Sequence, residues 1–229
     1  MTTAGVIGTW WFYPAEANSC CSKAIYDSFL RSTTYSFGSI CFGSLLVAIV
    51  QACRQLIEMA RQNDEGNALL LCLLDCFLSI IEGLLRYFNK WAYVYVGVYG
   101  YSYLEAAKSV TDLFESRGWT TIISDDLVSN ALSLVILVDG LITGLIGLPL
   151  TQIDSWFPDD KDVEISGFLI AFIIGLVISG IMLGVVESAV NSVIVLFAEA
   201  PNEFAGNHPD LHNEMVSAWR EAYPLTCGF

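Results

Sequence analysis

Four aromatic side chains recur at every fourth residue in the middle of this sequence, at Trp91, Tyr95, Tyr99 and Tyr103. On a helix this spacing places them on one face as an aromatic ridge. Aromatic faces attract organic cations, and a quaternary ammonium depends on them most because it has no N–H to donate. The alternative is an interfacial belt, in which the rings lie at a membrane–water boundary. A strand is excluded if this stretch is in lipid, because an isolated strand has unpaired backbone groups there.

Acidic residues also occur inside apolar segments, among them Glu82, Asp139 and Glu187. A carboxylate at membrane depth is costly and needs a partner, a water-filled cavity or protonation. Glu82 can pair with Arg86 one helical turn later. Asp139 has no basic residue nearby in the sequence, and Glu187 is followed by Asn191 one turn on. Asp139, Glu187 and Asn191 are therefore candidates to line a pathway for a cation, the alternative being burial as neutral, hydrogen-bonded groups.

The elements that must hold these residues are long apolar helices. Residues 165–186 contain no charged residue and no proline, and such a run is long enough to cross a bilayer. Of the 229 residues, 55% are apolar and 15% are charged, whereas an ordinary soluble domain has about 25% charged residues. These features predict an all-α fold, a polytopic transmembrane helical bundle.

About five membrane segments can be drawn, at residues 2–13, 35–60, 68–88, 127–152 and 165–197. The first ends on Trp10 and Trp11, which suit a membrane–water interface, and Pro14 stops it. We expect it to be the end of a helix whose first half is absent, so that the chain would be the C-terminal part of a longer protein. Residues 15–33 are polar, and residues 89–126 are rich in tyrosine and then amphipathic.

Basic residues predict the orientation of these segments. With the C-terminal tail in the cytosol, seven Lys and Arg fall on the cytosolic side and three on the far side. The positive-inside rule favours this arrangement. We therefore predict a multi-pass membrane domain over residues 1–204 and a polar cytoplasmic tail over residues 205–229.

Glycines at a spacing of four predict close helix packing, at Gly140 and Gly144 and again at Gly180 and Gly184. Ordinary packing of the bundle is the simpler interpretation. The alternative is that these faces slide past one another in a transporter that rocks between two states.

Several functions are excluded by what the sequence lacks. The formal net charge is −14 with only ten Lys and Arg, which argues against nucleic acid as a partner. Neither the seven cysteines nor the two histidines have the spacing of a zinc site. Motifs for hydrolytic, nucleotide-dependent or metal-dependent catalysis are missing. We predict no catalytic residues, no metal and no cofactor, and hence a protein that is not an enzyme.

Four stretches resemble the choline transporter-like proteins, a family that includes the fungal Pns-type members. They are residues 42–49, residues 72–88 with Glu82 and Arg86, residues 88–109 and residues 187–201. Within the third stretch the matching residues are Asn89, Ala92, Tyr93, Tyr99, Gly100, Ala107 and Lys108. The fourth looks like the family's last helix, with Val190, Asn191 and Glu199 at the matching positions.

The resemblance implies a fold of about ten membrane helices, of which this chain would supply half, with the missing N-terminal helices or another subunit as its partner. It also implies transport of choline or a related small amine across the plasma membrane or an organelle membrane. On physical grounds, Trp10, Trp11, Tyr95 and Tyr99 are the candidates for cation–π contact, and Asp139, Glu187 and Asn191 for the polar lining.

Two other functions stay open at this point. A membrane scaffold or interaction subunit without transport of its own would suit a chain of five segments. A membrane-embedded lipid enzyme acting on choline headgroups is less compatible, because such enzymes cluster metal-binding Asp or His, and here the acids are scattered over separate helices.

Overall fold

The computed structural model describes residues 1–17, 19, 22–63, 68–117, 120–153 and 161–222. Every regular element in these ranges is helical, as the apolar composition predicts. The helices are α1 (Thr2–Phe12), α2 (Lys23–Thr33), α3 (Phe37–Asn63), α4 (Ala68–Tyr99), α5 (Tyr103–Arg117), α6 (Thr120–Ile153), α7 (Lys161–Glu199), α8 (Pro201–Asn207) and α9 (Pro209–Ala222). A short 3₁₀ turn, Pro14–Glu16, follows α1.

Three helices among the described residues are long and apolar enough to cross a membrane, over Phe37–Arg61, Val128–Leu150 and Ile165–Glu199. The expected count of about five is not confirmed. The eleven residues of α1 span about 16 Å, roughly half of a bilayer's hydrocarbon core. In α4, Asp75, Glu82 and Arg86 interrupt the apolar sequence.

The chain divides into two compact units, Met1–Gly118 with Ser192–Phe229, and Trp119–Asn191. In the first unit, α1 packs against α2 and α4 where small residues let the backbones approach. A Cβ added to Gly5 would lie 2.8 Å from the Ser28 hydroxyl oxygen of α2. One added to Gly97 of α4 would lie 2.7 Å from the Met1 carbonyl oxygen.

The core of the first unit joins α1 to the C-terminal residues of the chain. Trp11, Leu196, Phe197 and Phe204 form a buried apolar cluster, against which Met215 and other residues pack. Within the predicted polar tail, residues 205–229, the chain forms the end of α8 and all of α9. These two helices fold back onto α1 and the end of α7.

In the second unit, α6 packs against the part of α7 that belongs to it. A Cβ added to Gly140 of α6 would lie 2.6 Å from the Leu176 side chain of α7. One added to Gly144 would lie 2.8 Å from Phe168, and one added to Gly147 would lie 2.5 Å from Ala171. The predicted close packing at Gly140 and Gly144 is present. No atom lies within 4 Å of the corresponding positions at Gly180 and Gly184, so in the described residues that pair faces open space.

Candidate functional site

A carboxylate and three tyrosines come together at the adjoining ends of α4 and α7 in the first unit. The buried Tyr95 hydroxyl donates a hydrogen bond of 2.7 Å to Glu199 Oε1. The Tyr99 ring lies 5.9 Å from the Tyr95 ring, and Tyr101 stacks on Tyr99 at 5.4 Å with an interplanar angle of 21°. We call these four residues the Tyr95–Glu199 cluster.

The local sequence explains how this cluster forms. Gly100 ends α4 with a φ of +74°, a conformation that a residue with a side chain rarely adopts. The chain therefore turns directly after Tyr99, and Tyr101 folds onto it. On the other side, α7 ends at Glu199, and the Ala200 carbonyl accepts a 3.0 Å hydrogen bond from the Trp11 indole N–H.

Trp10 and Trp11 hold the C-terminal helices against α1. Trp11 is fully buried, and its ring stacks on Phe204 at 4.1 Å. Trp10 stacks on His208 at 4.1 Å. The Asn207 side-chain amide donates to the Trp11 carbonyl oxygen at 2.9 Å. One face of each indole is thus covered by the chain itself.

The chemistry of the Tyr95–Glu199 cluster suits a small organic cation. Glu199 is exposed and accepts one hydrogen bond, and its charge also acts on the Tyr99 hydroxyl. Tyr101 is 41% exposed. An aromatic surface beside a carboxylate offers an ammonium group both cation–π attraction and a counter-charge.

The acidic candidates from the sequence lie in the second unit, Trp119–Asn191. The Ser179 hydroxyl of α7 donates to Asp139 Oδ2 of α6 at 3.1 Å, so Asp139 has a polar partner in the bundle. Glu187 is half-buried. Asn191 is 3% exposed, and its Oδ1 forms no hydrogen bond among the described residues. Trp10, Trp11, Tyr95 and Tyr99 all belong to the first unit.

A charged network occupies the contact between α3 and α4. Arg54 of α3 bonds Asp75 at 2.9 Å through Nε and Glu82 at 2.8 Å through Nη1. Arg86 approaches Glu82 at 2.8 Å, as predicted from their spacing. Arg54, Asp75 and Glu82 border an open cleft of about 400 Å³. The network satisfies charges that α4 would otherwise carry unpaired in an apolar setting.

Sequence reasoning missed Glu199 and Arg54 as members of these sites. Glu199 lies 104 residues from Tyr95, and Arg54 lies 28 residues from Glu82. Two signals pointed to Glu199: it ends a long apolar helix, as an interfacial charge does, and it matches a position in the family's last helix. Among the described residues no group of three or more His, Cys, Asp or Glu is placed to hold a metal ion.

A family model and individual relatives both relate this chain to one kind of membrane protein. Residues 1–202 match the family described as plasma-membrane choline transporters. The chain is 35% identical to protein PNS1 of Mycosarcoma maydis over 97% of this chain and 42% of that protein. It is 30% identical to protein pns1 of Aspergillus fumigatus over 95% of this chain and 42% of that protein. The chain therefore spans about two fifths of the length of these relatives.

Proposed function

We propose, from the premise that this chain belongs to the plasma-membrane choline transporter family, that it takes part in the transmembrane transport of choline or a related small quaternary or primary amine. The family and three apolar helices make it an integral membrane protein. Segments corresponding to the unmatched part of the longer relatives, or another subunit, would complete the pathway. No enzymatic step enters this proposal.

The observation that carries the proposal is the Tyr95–Glu199 cluster. In this proposal the exposed Tyr101 offers the amine the ring face that is not stacked on Tyr99, Tyr99 supports that ring, and Glu199 offsets the charge of the amine. Tyr95 is 1% exposed and donates to Glu199 at 2.7 Å, so its role is to orient the carboxylate. A cation–π contact contributes about 0.5–2 kcal/mol, enough for weak, reversible binding when combined with one carboxylate.

The remaining candidate residues have different roles in this proposal. Trp11 positions the end of α7 through its hydrogen bond to Ala200, and Trp10 packs against His208 between α8 and α9. Asp139, Glu187 and Asn191 line the polar part of the pathway within the second unit. The unpartnered Oδ1 of the buried Asn191 supports this assignment, because a buried amide oxygen without a hydrogen bond is costly unless a ligand or water completes it.

We further propose that α4 crosses the membrane as a fourth segment and that α1 is part of a fifth. The salt bridges from Arg54 and Arg86 to the α4 carboxylates support the first point, because paired charges are far less costly in the membrane than isolated ones. The membrane is the plasma membrane and the tail is cytoplasmic in this proposal.

One alternative function is that of a membrane scaffold or interaction subunit that does not transport. This alternative predicts no amine uptake by the chain alone.

Uptake and binding of radiolabelled choline test the proposal, with the chain reconstituted in vesicles and in detergent. Glu199→Gln removes the counter-charge and keeps the shape, so we expect at least about a tenfold weaker affinity, equivalent to ~1.4 kcal/mol. Glu203→Gln, four residues on in α8 and exposed, is the matched control and should bind as the unaltered chain does.

Equal choline affinity for Glu199→Gln and the unaltered chain would refute the assigned site. Specific binding without uptake above empty vesicles would favour the scaffold alternative for the isolated chain. Absence of both binding and uptake would overturn the proposed function itself.

A further inference from the structure

Helix α2 presents three different faces. Its small residues Ala24, Ser28 and Ser32 are buried, and Ser28 lies against Gly5 of α1. A second face is apolar and exposed, with Tyr26 65% and Phe29 55% accessible next to Ile25 and Leu30. The third face carries the charged residues of the helix, Lys23, Asp27 and Arg31. An apolar outer face beside a charged one is typical of a helix that lies in a membrane interface.

A cleft of about 420 Å³ opens on the charged face, between α1, the 3₁₀ turn and α2. Two cations and two carboxylates border it, together with Thr9 and Ser28; they are Lys23, Arg31, Glu16 and Asp27. No ion pair within 4.0 Å joins these four charges in the part of the chain that the structure describes. Arg31 is held in place by a 2.6 Å hydrogen bond to the Gly97 carbonyl oxygen of α4.

We propose that this cleft binds the zwitterionic headgroup of a membrane phospholipid. Lys23 and Arg31 bind its phosphate, and Glu16 and Asp27 bind its ammonium group. The apolar face of α2 then lies along the acyl chains. The inference does not depend on the proposed amine transport, because it concerns a different part of the first unit.

Three observations select this ligand over others. The two cations and two carboxylates that line the cleft cancel in charge. The cleft therefore favours a zwitterion over an anion, because an anion would be attracted by the cations and repelled by the carboxylates, whereas a zwitterion can pair with both. The exposed Tyr26 and Phe29 border the same helix and give a lipid an apolar contact that a free headgroup cannot use. With eleven residues, α2 is about 16 Å long and fits along the interface.

Exposed tyrosines support an interfacial position for this region. Tyr13, between α1 and the 3₁₀ turn, is 67% exposed, and Tyr35, between α2 and α3, is 88% exposed. Tyrosine is enriched at membrane–water boundaries because its ring is apolar and its hydroxyl is polar. One exposed tyrosine thus precedes the 3₁₀ turn that borders the cleft, and another follows the end of α2.

Lipid binding by charge-neutralised variants tests the headgroup site. We compare Lys23→Gln/Asp27→Asn with Lys108→Gln/Asp112→Asn, a matched pair also four residues apart on the exposed surface of α5. The probe is a fluorescent phosphatidylcholine added to the purified full chain. The first variant should bind it at least about tenfold more weakly, while the control and the unaltered chain bind equally and both variants keep their helical circular dichroism.

Three outcomes would overturn the proposal. The first is equal affinity of both variants for phosphatidylcholine. The second is equal binding of phosphatidylglycerol, which would mean that the ammonium is not recognised. The third is competition by free phosphocholine at the same concentration as the lipid, which would assign the cleft to a soluble ligand.

A photoreactive amino acid at Phe29 gives an independent measurement. It should form adducts with the acyl chains of phosphatidylcholine in vesicles. The same photoreactive amino acid in place of Leu45, which is 55% exposed in the apolar span of α3, should do so as well. Adducts at Leu45 but none at Phe29, or adducts of Phe29 with a second copy of the chain, would contradict the lipid-facing position of α2.

Discussion

Arg54 lies between two carboxylates of the neighbouring helix, Asp75 at 2.9 Å and Glu82 at 2.8 Å. Gln51 donates a further hydrogen bond of 2.9 Å to Glu82. A carboxylate with several donors is stabilised as a charge. At the scale of single residues, the acids of α4 are therefore part of the structure, whereas Glu199 has an exposed carboxylate that accepts one hydrogen bond and is better suited to a ligand.

Ser102 and Glu105 cap the start of α5 reciprocally. The Ser102 backbone N–H donates to Glu105 Oε2 at 3.0 Å, and its hydroxyl donates to the same oxygen at 2.8 Å. These bonds, the backbone bond first, hold the pKa of the Glu105 carboxyl below its ordinary value. A carboxyl with a depressed pKa stabilises the fold above its unfolded-state pKa, and this contribution disappears as the pH falls through the folded-state pKa.

We therefore expect Glu105→Gln to lower the melting temperature by a few degrees at most at pH 7. The difference from the unaltered chain should shrink as the pH is lowered below about 4, because protonated Glu105 no longer accepts both bonds. Thermal unfolding between pH 3 and 7 measures this. Glu115→Gln, near the other end of α5, is the control and should show no such pH-dependent difference; a constant difference at every pH would contradict the capping role.

Helix pairing in the second unit depends on glycines of α6. Gly147 faces Ala171 and the Gly167 carbonyl oxygen so closely that an added Cβ would lie 2.5 Å and 3.1 Å from them. Backbone on the opposite helix cannot move aside as a flexible side chain can. The contact between α6 and α7 therefore requires glycine at this position, whereas Gly180 of α7 has no such neighbour.

Gly147→Ala should destabilise the protein by about 1–3 kcal/mol, because it overpacks the α6–α7 contact. Gly180→Ala is the matched control; alanine favours a helix over glycine by up to about 1 kcal/mol, so this variant should be neutral or slightly more stable. Denaturant unfolding in mild detergent compares the two. Equal stability of both variants would mean that α6 and α7 do not pack as described.

At the scale of the whole molecule, the C-terminal ends of three helices meet in the first unit. Trp11 near the end of α1 bonds Ala200 after α7, and Tyr95 near the end of α4 bonds Glu199 at the end of α7. The predicted topology places these three ends on one side of the membrane. In the proposed topology this side is the cytosolic one, as the excess of Lys and Arg predicts.

Topology mapping with reporters tests this orientation. A reporter fused after residue 222 should be accessible only from the cytosolic side, and one inserted after residue 153 only from the opposite side, because α7 lies between the two positions. A reporter after residue 117 should behave like the C-terminal one. The same accessibility for all three positions would overturn the proposed alternation.

Long apolar runs and residues spaced four apart were sufficient to predict the helical class, the Glu82–Arg86 pair, the end of α6 to within one residue and the bounds of α7 to within four residues. The start of α6 lies seven residues before the predicted one. These features follow from local rules, since lipid requires continuous helices and residues four apart share a face. The partner of Tyr95, the buried serine face of α2 and the return of α8 and α9 onto Trp11 required the tertiary structure. Each depends on which helices lie together, and that is determined by packing between segments up to 196 residues apart, for which a single sequence carries no periodic signal.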